Sequence, residues 1–170
     1  MKPVKSEENF IEIRPSKFGN GLFSLGAIPA GTIVCPISGT PLNFKQTLAL
    51  GERESHCIQV DTDYYILCDP PFLYSNHSCK PNCAINSDLQ LYTLEDLPKN
   101  TELLWDYSTS MYERSWTMRC RCGNKNCRQV IKDFDLLPEA LQQQYLKMNI
   151  VLSFIVKQLR EEKKLITARA

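Results

Sequence analysis

A chain of 170 residues with 43% hydrophobic and 9% aromatic content can bury one core and leaves little room for a second independent domain. Its 20 Lys and Arg against 19 Asp and Glu leave a formal charge of +1, so no global field draws it to nucleic acid or to an anionic membrane. The opening MKPVKSEENF lacks the apolar core of a signal peptide, and the longest apolar run, Ile150–Val156, is interrupted by Ser153 and too short to span a bilayer.

From Phe10 to about Cys68 short apolar runs alternate with turn residues: Ile11-Glu12-Ile13, Gly21-Leu22-Phe23, Thr32-Ile33-Val34, Cys57 to Asp61 and Tyr64 to Cys68. Such runs predict brief strands and hairpins. Asn43 to Leu50 predicts one short helix ending at Gly51, while Leu89 to Leu94 and Glu102 to Trp105 predict further strands. Beyond Pro138, Leu141, Tyr145, Met148, Leu152, Ile155 and Leu159 recur at steps of three and four, which predicts one apolar stripe along a helix. The expectation is a helix packed on its own domain in a monomer, with a dimerising coiled coil as the alternative. The tail from Arg160 to Ala170 is charged, then small, and is expected to fray.

The eight cysteines are read in an intracellular setting, where thiols stay reduced and a disulfide framework is not expected; the want of a basic import run favours the cytoplasm, with a nucleus or host nucleus, open to a chain of 19.5 kDa by diffusion, as the alternative. Cys120, Cys122 and Cys127 form a CxCx4C cluster, and three thiolates this close in sequence suit zinc, which takes four ligands tetrahedrally. Gly123 lets the chain turn after the second ligand, and Arg119, Arg121, Lys125 and Arg128 would offset the thiolate charge. The fourth ligand must come from elsewhere, with Cys79 and Cys83 the best-placed donors. Cys35, Cys57 and Cys68 lie in strand-like apolar contexts and read as small buried hydrophobes. A closed four-thiolate site would staple two segments together without activating water.

Four segments then fall in order: Gly19-Asn20-Gly21-Leu22-Phe23, followed by AIPAGTIV; Asn76-His77-Ser78-Cys79-Lys80-Pro81-Asn82; Glu102-Leu103-Leu104-Trp105-Asp106-Tyr107; and the CxCx4C cluster. This succession resembles the SET-domain protein lysine methyltransferases with a post-SET zinc module, in particular small stand-alone proteins of bacterial type. The resemblance covers about residues 10–131. It implies a mainly β fold of short twisted sheets with a pseudoknot, divided into a SET domain at 8–118, a post-SET zinc-binding segment at 119–131 and a C-terminal helical extension at 132–162.

The resemblance also implies a reaction: transfer of a methyl group from S-adenosylmethionine to the ε-amine of a lysine in a histone tail or another protein. Tyr107 would orient the amine and the methyl. Gly21 and Leu22 would offer backbone groups to the cofactor, with Gly21 small so that the cofactor can approach closely, and Asn76 and His77 would meet the cofactor in the pseudoknot. Ile131 would cover its adenine. Trp105 and His56 would line the lysine channel, and Cys79 would complete a structural zinc site with Cys120, Cys122 and Cys127. Glu102 and Asp106 would be hydrogen-bonding struts. Two departures stand out: Leu73-Tyr74-Ser75 replaces the commoner Arg-Phe-Ile, and Trp105 replaces Phe or Tyr where the number of methyls added is influenced, leaving the product open. The alternative of a different class is a non-catalytic zinc-containing module that has kept the fold.

Overall fold

The computed structural model describes residues 10–167; the first two residues of the expected 8–118 domain and the last three of the tail lie outside them. Strands β1 (Ile11–Ser16) and β2 (Gly19–Ser24) form a hairpin in continuous register from Ile11 opposite Ser24 to Ser16 opposite Gly19. After them come β3 (Ile33–Pro36) and β4 (Gly39–Leu42), then helix α1 (Phe44–Leu48). Helix α1 starts where the chain supplies a capping box: the Asn43 side chain accepts from Gln46 N–H at 2.9 Å and the Gln46 side chain accepts from Asn43 N–H at 2.8 Å. A 3-10 turn over Gly51–His56 leads into β5 (Cys57–Asp61) and β6 (Tyr64–Cys68). Then follow β7 (Asn76–His77), β8 (Cys83–Ile85), β9 (Gln90–Thr93) and β10 (Leu104–Trp105), and finally β11 (Met118–Arg119) and β12 (Val130–Ile131).

The strands assemble into two three-stranded antiparallel sheets, β3-β9-β8 and β4-β6-β5, and three two-stranded pairs. Of the predicted strand Glu102–Trp105 only Leu104 and Trp105 pair as a strand, with Glu102 making an isolated bridge to Phe23. That pair, β10 with β7, is the one parallel pairing among the described strands. It threads two segments side by side in the same direction, the crossing expected of a pseudoknot.

Residues 132–162 share the core of the sheets. Phe134 and Ile155 are as fully excluded from solvent as Leu22, Leu91 and Leu103, and all five belong to one apolar cluster. The predicted single helix is in fact two, α2 (Glu139–Lys147) and α3 (Ser153–Thr167). The break is built by Asn149, whose φ of 56° is left-handed. Its N–H donates to Leu146 O at 3.1 Å and the Ile150 N–H to Tyr145 O at 3.3 Å, the paired bonds that close a helix end around an Asn or Gly. Ile150, Val151 and Leu152 then enter the core while Met148, a member of the predicted stripe, is exposed. Helix α3 continues to Thr167, past the point where fraying was expected. No helix among the described residues is long and apolar enough to cross a membrane.

Candidate active site and metal centre

The crossing is held by side chains that imitate backbone. Asn82 donates its Nδ2–H to Glu102 O at 2.9 Å and accepts Leu104 N–H on Oδ1 at 2.8 Å, while its own N–H reaches Leu104 O at 3.0 Å. An amide offers a donor and an acceptor at once, which is why Asn can extend a two-residue strand pair. Asn76 Nδ2 donates to Asn20 O and to Glu102 Oε1, both at 2.9 Å, and Glu102 Oε1 also accepts from Ser16 Oγ at 2.8 Å. Glu102 is therefore a strut between the β1–β2 hairpin and the crossing.

Gly21 faces this strut. A Cβ at Gly21 would lie 2.5 Å from Glu102 Oε1 and 2.9 Å from the Ser16 Cβ, so the missing side chain makes room for protein rather than for a ligand. Leu22 is completely buried in the core.

Immediately after β10, the Asp106 carboxylate accepts Ser108 N–H at 3.1 Å and starts a 3-10 turn over Tyr107–Ser110. Tyr107 is half-buried. Its hydroxyl donates to Ser75 O at 3.0 Å, and the Trp105 indole N–H donates to the same carbonyl at 3.2 Å. The Tyr107 ring lies 4.7 Å from that of Trp105 and meets the edge of His77 at 5.3 Å. Burial raises the Tyr107 hydroxyl above the usual tyrosine range, so it stays a protonated donor. Burial likewise pushes His77 down to about 4, against the opposing pull of Asp106. The neutral ring accepts Tyr107 N–H on Nδ1 at 3.2 Å and turns Nε2 toward the Cys79 sulfur at 3.4 Å.

The sulfurs of Cys79, Cys120, Cys122 and Cys127 all lie within 4.8 Å of one another. Cys83, the other candidate donor, is buried in β8 and is not among these four. A tetrahedral ion at ~2.3 Å from each sulfur would set the sulfurs about 3.8 Å apart, and the Cys79 and Cys120 sulfurs are 3.7 Å apart. Backbone N–H groups of Cys122, Arg128 and Gln129 point at the sulfurs of Cys120, Cys79 and Cys127, each at 3.4 Å. Burial raises the Cys79 and Cys120 thiols, whereas N–H and S–H donors outweigh burial at Cys122 and lower it, so Cys122 is the readiest of these three to give up its proton. The four cysteines have the donor set and spacing to hold a metal ion.

Arg128 does more than neutralise thiolates. Its Nη1 and Nη2 donate to the two oxygens of Asp106 at 2.7 Å each, a bidentate pair with the carboxylate wholly buried. Asp106 also accepts the Tyr145 O–H from α2 at 2.9 Å.

Two cavities meet at this turn. The smaller, about 70 Å³, is walled by Ile58, Phe72, Trp105 and Tyr107, with Glu54, Glu113 and Trp116. The larger, about 650 Å³, is walled by Asn20, Asn76, His77 and Ile131, with Lys17, Arg119 and Arg121. Ser55, His56, Leu73 and Tyr107 line both. Of the residues named from the sequence, Tyr107, Asn76, His77, Ile131, Trp105 and His56 are thus brought together, and Gly21 and Leu22 are not; the hairpin contributes Lys17, Phe18 and Asn20 in their place. Sequence reasoning missed Glu113, whose carboxylate accepts the Tyr65 O–H, and Tyr145, neither of which sits in a motif.

The family model described as SET domain matches residues 19–108, more than half of the chain. The chain belongs to the SET domain family. Among relatives of this SET chain, histone-lysine N-methyltransferase ash1 of Drosophila melanogaster is 29% identical over 120 residues, covering 61% of the chain and 5% of that protein. Histone-lysine N-methyltransferase SETD2 of Homo sapiens is 26% identical over 133 residues, 68% of the chain and 5% of that protein. The H3 lysine-9 specific histone-lysine N-methyltransferase dim-5 of Neurospora crassa is 32% identical over 92 residues, 42% of the chain and 27% of that protein. The SET chain therefore spans a small fraction of the length of the curated relatives it matches.

Proposed function

We propose that this chain is an S-adenosylmethionine-dependent protein-lysine N-methyltransferase acting on a histone tail or another lysine-bearing protein. The observation that carries the reading is the position of Tyr107 in the shared wall of two cavities of opposite charge. Glu54 and Glu113 are the carboxylates in the wall of the narrow cavity, while the wide one carries Lys17, Arg119 and Arg121 and no carboxylate. A cationic lysine suits the first and a ligand bearing a carboxylate suits the second.

When bound, S-adenosylmethionine supplies an electrophilic methyl on a sulfonium. Asn76, His77 and Ile131 would hold this donor, with Lys17, Arg119 or Arg121 facing its carboxylate. The chain's own residues do the rest. Glu54 and Glu113 would draw the lysine in as a cation, and the apolar walls Ile58, Phe72 and Trp105 would strip water from its end, penalising the ammonium so that its proton passes to solvent and its pKa falls from about 10.4 before transfer. Tyr107, its O–H spent on Ser75 O, keeps oxygen lone pairs free to receive an amine N–H and so to aim the nitrogen lone pair. In-line displacement needs this alignment and a dry site more than it needs a base.

Cys79, Cys120, Cys122 and Cys127 would hold one structural zinc, joining the Asn76–Cys79 segment to the segment that ends in Ile131. The division into 8–118, 119–131 and 132–162 belongs to the same reading, as does a monomer, which the burial of Tyr145, Leu152 and Ile155 in the chain's own core supports.

The test is incubation with labelled S-adenosylmethionine and a panel of histones and cell extract, alongside calorimetry with the donor alone. Transfer to a protein lysine is expected, and Tyr107→Phe should abolish it while donor binding persists. No transfer to any protein together with no donor binding would overturn the reading.

A further inference from the structure

The turn that carries Tyr107 is gripped from outside the segment matched by the family model. At its start, Tyr145 O–H of α2 donates to Asp106 Oδ2 at 2.9 Å. In its middle, Leu152 N–H, from the link between α2 and α3, donates to Thr109 O at 3.1 Å. At its end, Phe134 N–H donates to Met111 O at 2.9 Å. All three contacts are made by residues 132–162, and all three donors' residues are buried. Asp106, Thr109 and Met111 are buried as well, so water cannot substitute for a lost partner and each bond is enforced.

We infer that the C-terminal extension is a clamp on the catalytic turn, and that Tyr145 is a positioning residue for methyl transfer acting through Asp106 on Tyr107. The inference rests on the methyltransferase reading above. Its physical basis is over-determination of one carboxylate. Asp106 receives Arg128 on both oxygens, Ser108 N–H on Oδ1 and Tyr145 O–H on Oδ2. Ser108 N–H sets the pitch of the turn, Arg128 ties it to the cysteine cluster, and Tyr145 ties it to the helical layer. The carboxylate that Tyr145 holds also accepts Ser108 N–H, so freeing it loosens the backbone turn on which the Tyr107 ring is set between Trp105 and His77. Misplacing a group that must point at a reacting amine costs rate before it costs affinity.

Tyr145→Phe keeps the ring in the core and removes only the hydroxyl, so it is the variant of choice; Gln144→Ala, on the exposed side of α2, is the control. In the zinc-loaded protein with a histone substrate, Tyr145→Phe should lower kcat about fivefold, ~1 kcal/mol on the barrier, with KM for donor and substrate within about twofold. An unchanged kcat overturns the inference, and so does a fall in kcat matched by equal losses of zinc and of folded protein, which would mark a structural role only. Hydrogen exchange gives a readout independent of turnover. In Tyr145→Phe, amides of Tyr107 to Met111 should exchange at least about fivefold faster while those of β5 and β6 do not change. Unaltered exchange there would refute the clamp even if the chain methylates nothing, and faster exchange in a chain without methyl transfer would leave the clamp standing and sink the methyltransferase reading instead.

Discussion

Replacing Arg128 by Met isolates the energy of the buried ion pair that joins the Tyr107–Ser110 turn to the cysteine cluster. Two guanidinium nitrogens sit 2.7 Å from the two Asp106 oxygens, with the Asp106 side chain fully buried and that of Arg128 13% exposed. Met keeps the aliphatic stem and its packing but removes both charge-assisted bonds, leaving the carboxylate with Ser108 N–H and Tyr145 O–H alone. Such bonds contribute ~1.5–3 kcal/mol each, and stripping one partner from a buried pair costs about 3–5 kcal/mol. For a domain of this length ~1 kcal/mol corresponds to roughly 2–4 °C, so a loss of about 4 kcal/mol lowers the melting midpoint by about 8–16 °C. The assay is urea and thermal unfolding of the zinc-loaded protein for Arg128→Met, Asp106→Asn and the double variant. The double variant should be more stable than the sum of the singles by about 1–3 kcal/mol, because it leaves no uncompensated charge inside. A single-variant loss below about 1 kcal/mol, or strict additivity, would refute the view that this pair is desolvated and tightly coupled.

Other perturbations probe the remaining parts. Cys120→Ser should bring zinc from about one ion per chain to below about a tenth, read by atomic absorption, and should lower donor binding with it; a folded, donor-binding protein without zinc would remove the staple from the account. Gly21→Ala forces a Cβ to 2.5 Å from Glu102 Oε1 and 2.9 Å from the Ser16 Cβ and should cost about 1–3 kcal/mol in urea unfolding; a loss below about 0.5 kcal/mol would refute the close packing at this position. Burial raises the Glu113 carboxyl above its ordinary value, partly opposed by the hydrogen bond from Tyr65. Because the folded chain then holds this proton to higher pH than the unfolded one, Glu113 contributes a loss of stability as pH rises through the folded value. Glu113→Gln should therefore match the parent near about pH 4 and be the more stable of the two near about pH 7; unfolding midpoints that diverge in the opposite sense would contradict the burial of this carboxylate.

The parts of the site that could be read from the sequence are those whose chemistry is local. Cys120, Cys122 and Cys127 mark a candidate metal site by spacing alone, and Asn76, His77 and Tyr107 lie in segments whose order carries the family. Long-range partners were not legible. Nothing in the spacing of Tyr145 distinguishes a stripe residue from one whose hydroxyl reaches Asp106, because a tyrosine in an apolar face reads as packing. By its place in the chain Arg128 reads as a counter-charge for the thiolates it adjoins, whereas its guanidinium turns the other way, toward Asp106. The smallness of Gly21 reads locally as room for a ligand, yet the space belongs to Glu102, a residue distant in sequence. The broken helix is a different case: Asn149 carried the signal, since Asn tolerates the left-handed conformation that ends a helix, but an unbroken three-and-four periodicity across it outweighed that local cue.

The parallel pairing of β7 with β10 has a consequence for how the chain acquires its form. The β1–β2 hairpin closes between near neighbours and can form as soon as Ser24 is available. The crossing cannot: Asn76 must wait for Leu104, Asp106 for Arg128 and Tyr145, and Thr109 for Leu152. Contacts so distant in sequence carry their loop-closure cost before they return any stability. The β1–β2 hairpin can therefore form early, whereas the turn that carries Tyr107 has its full set of partners only once Leu152 is in place.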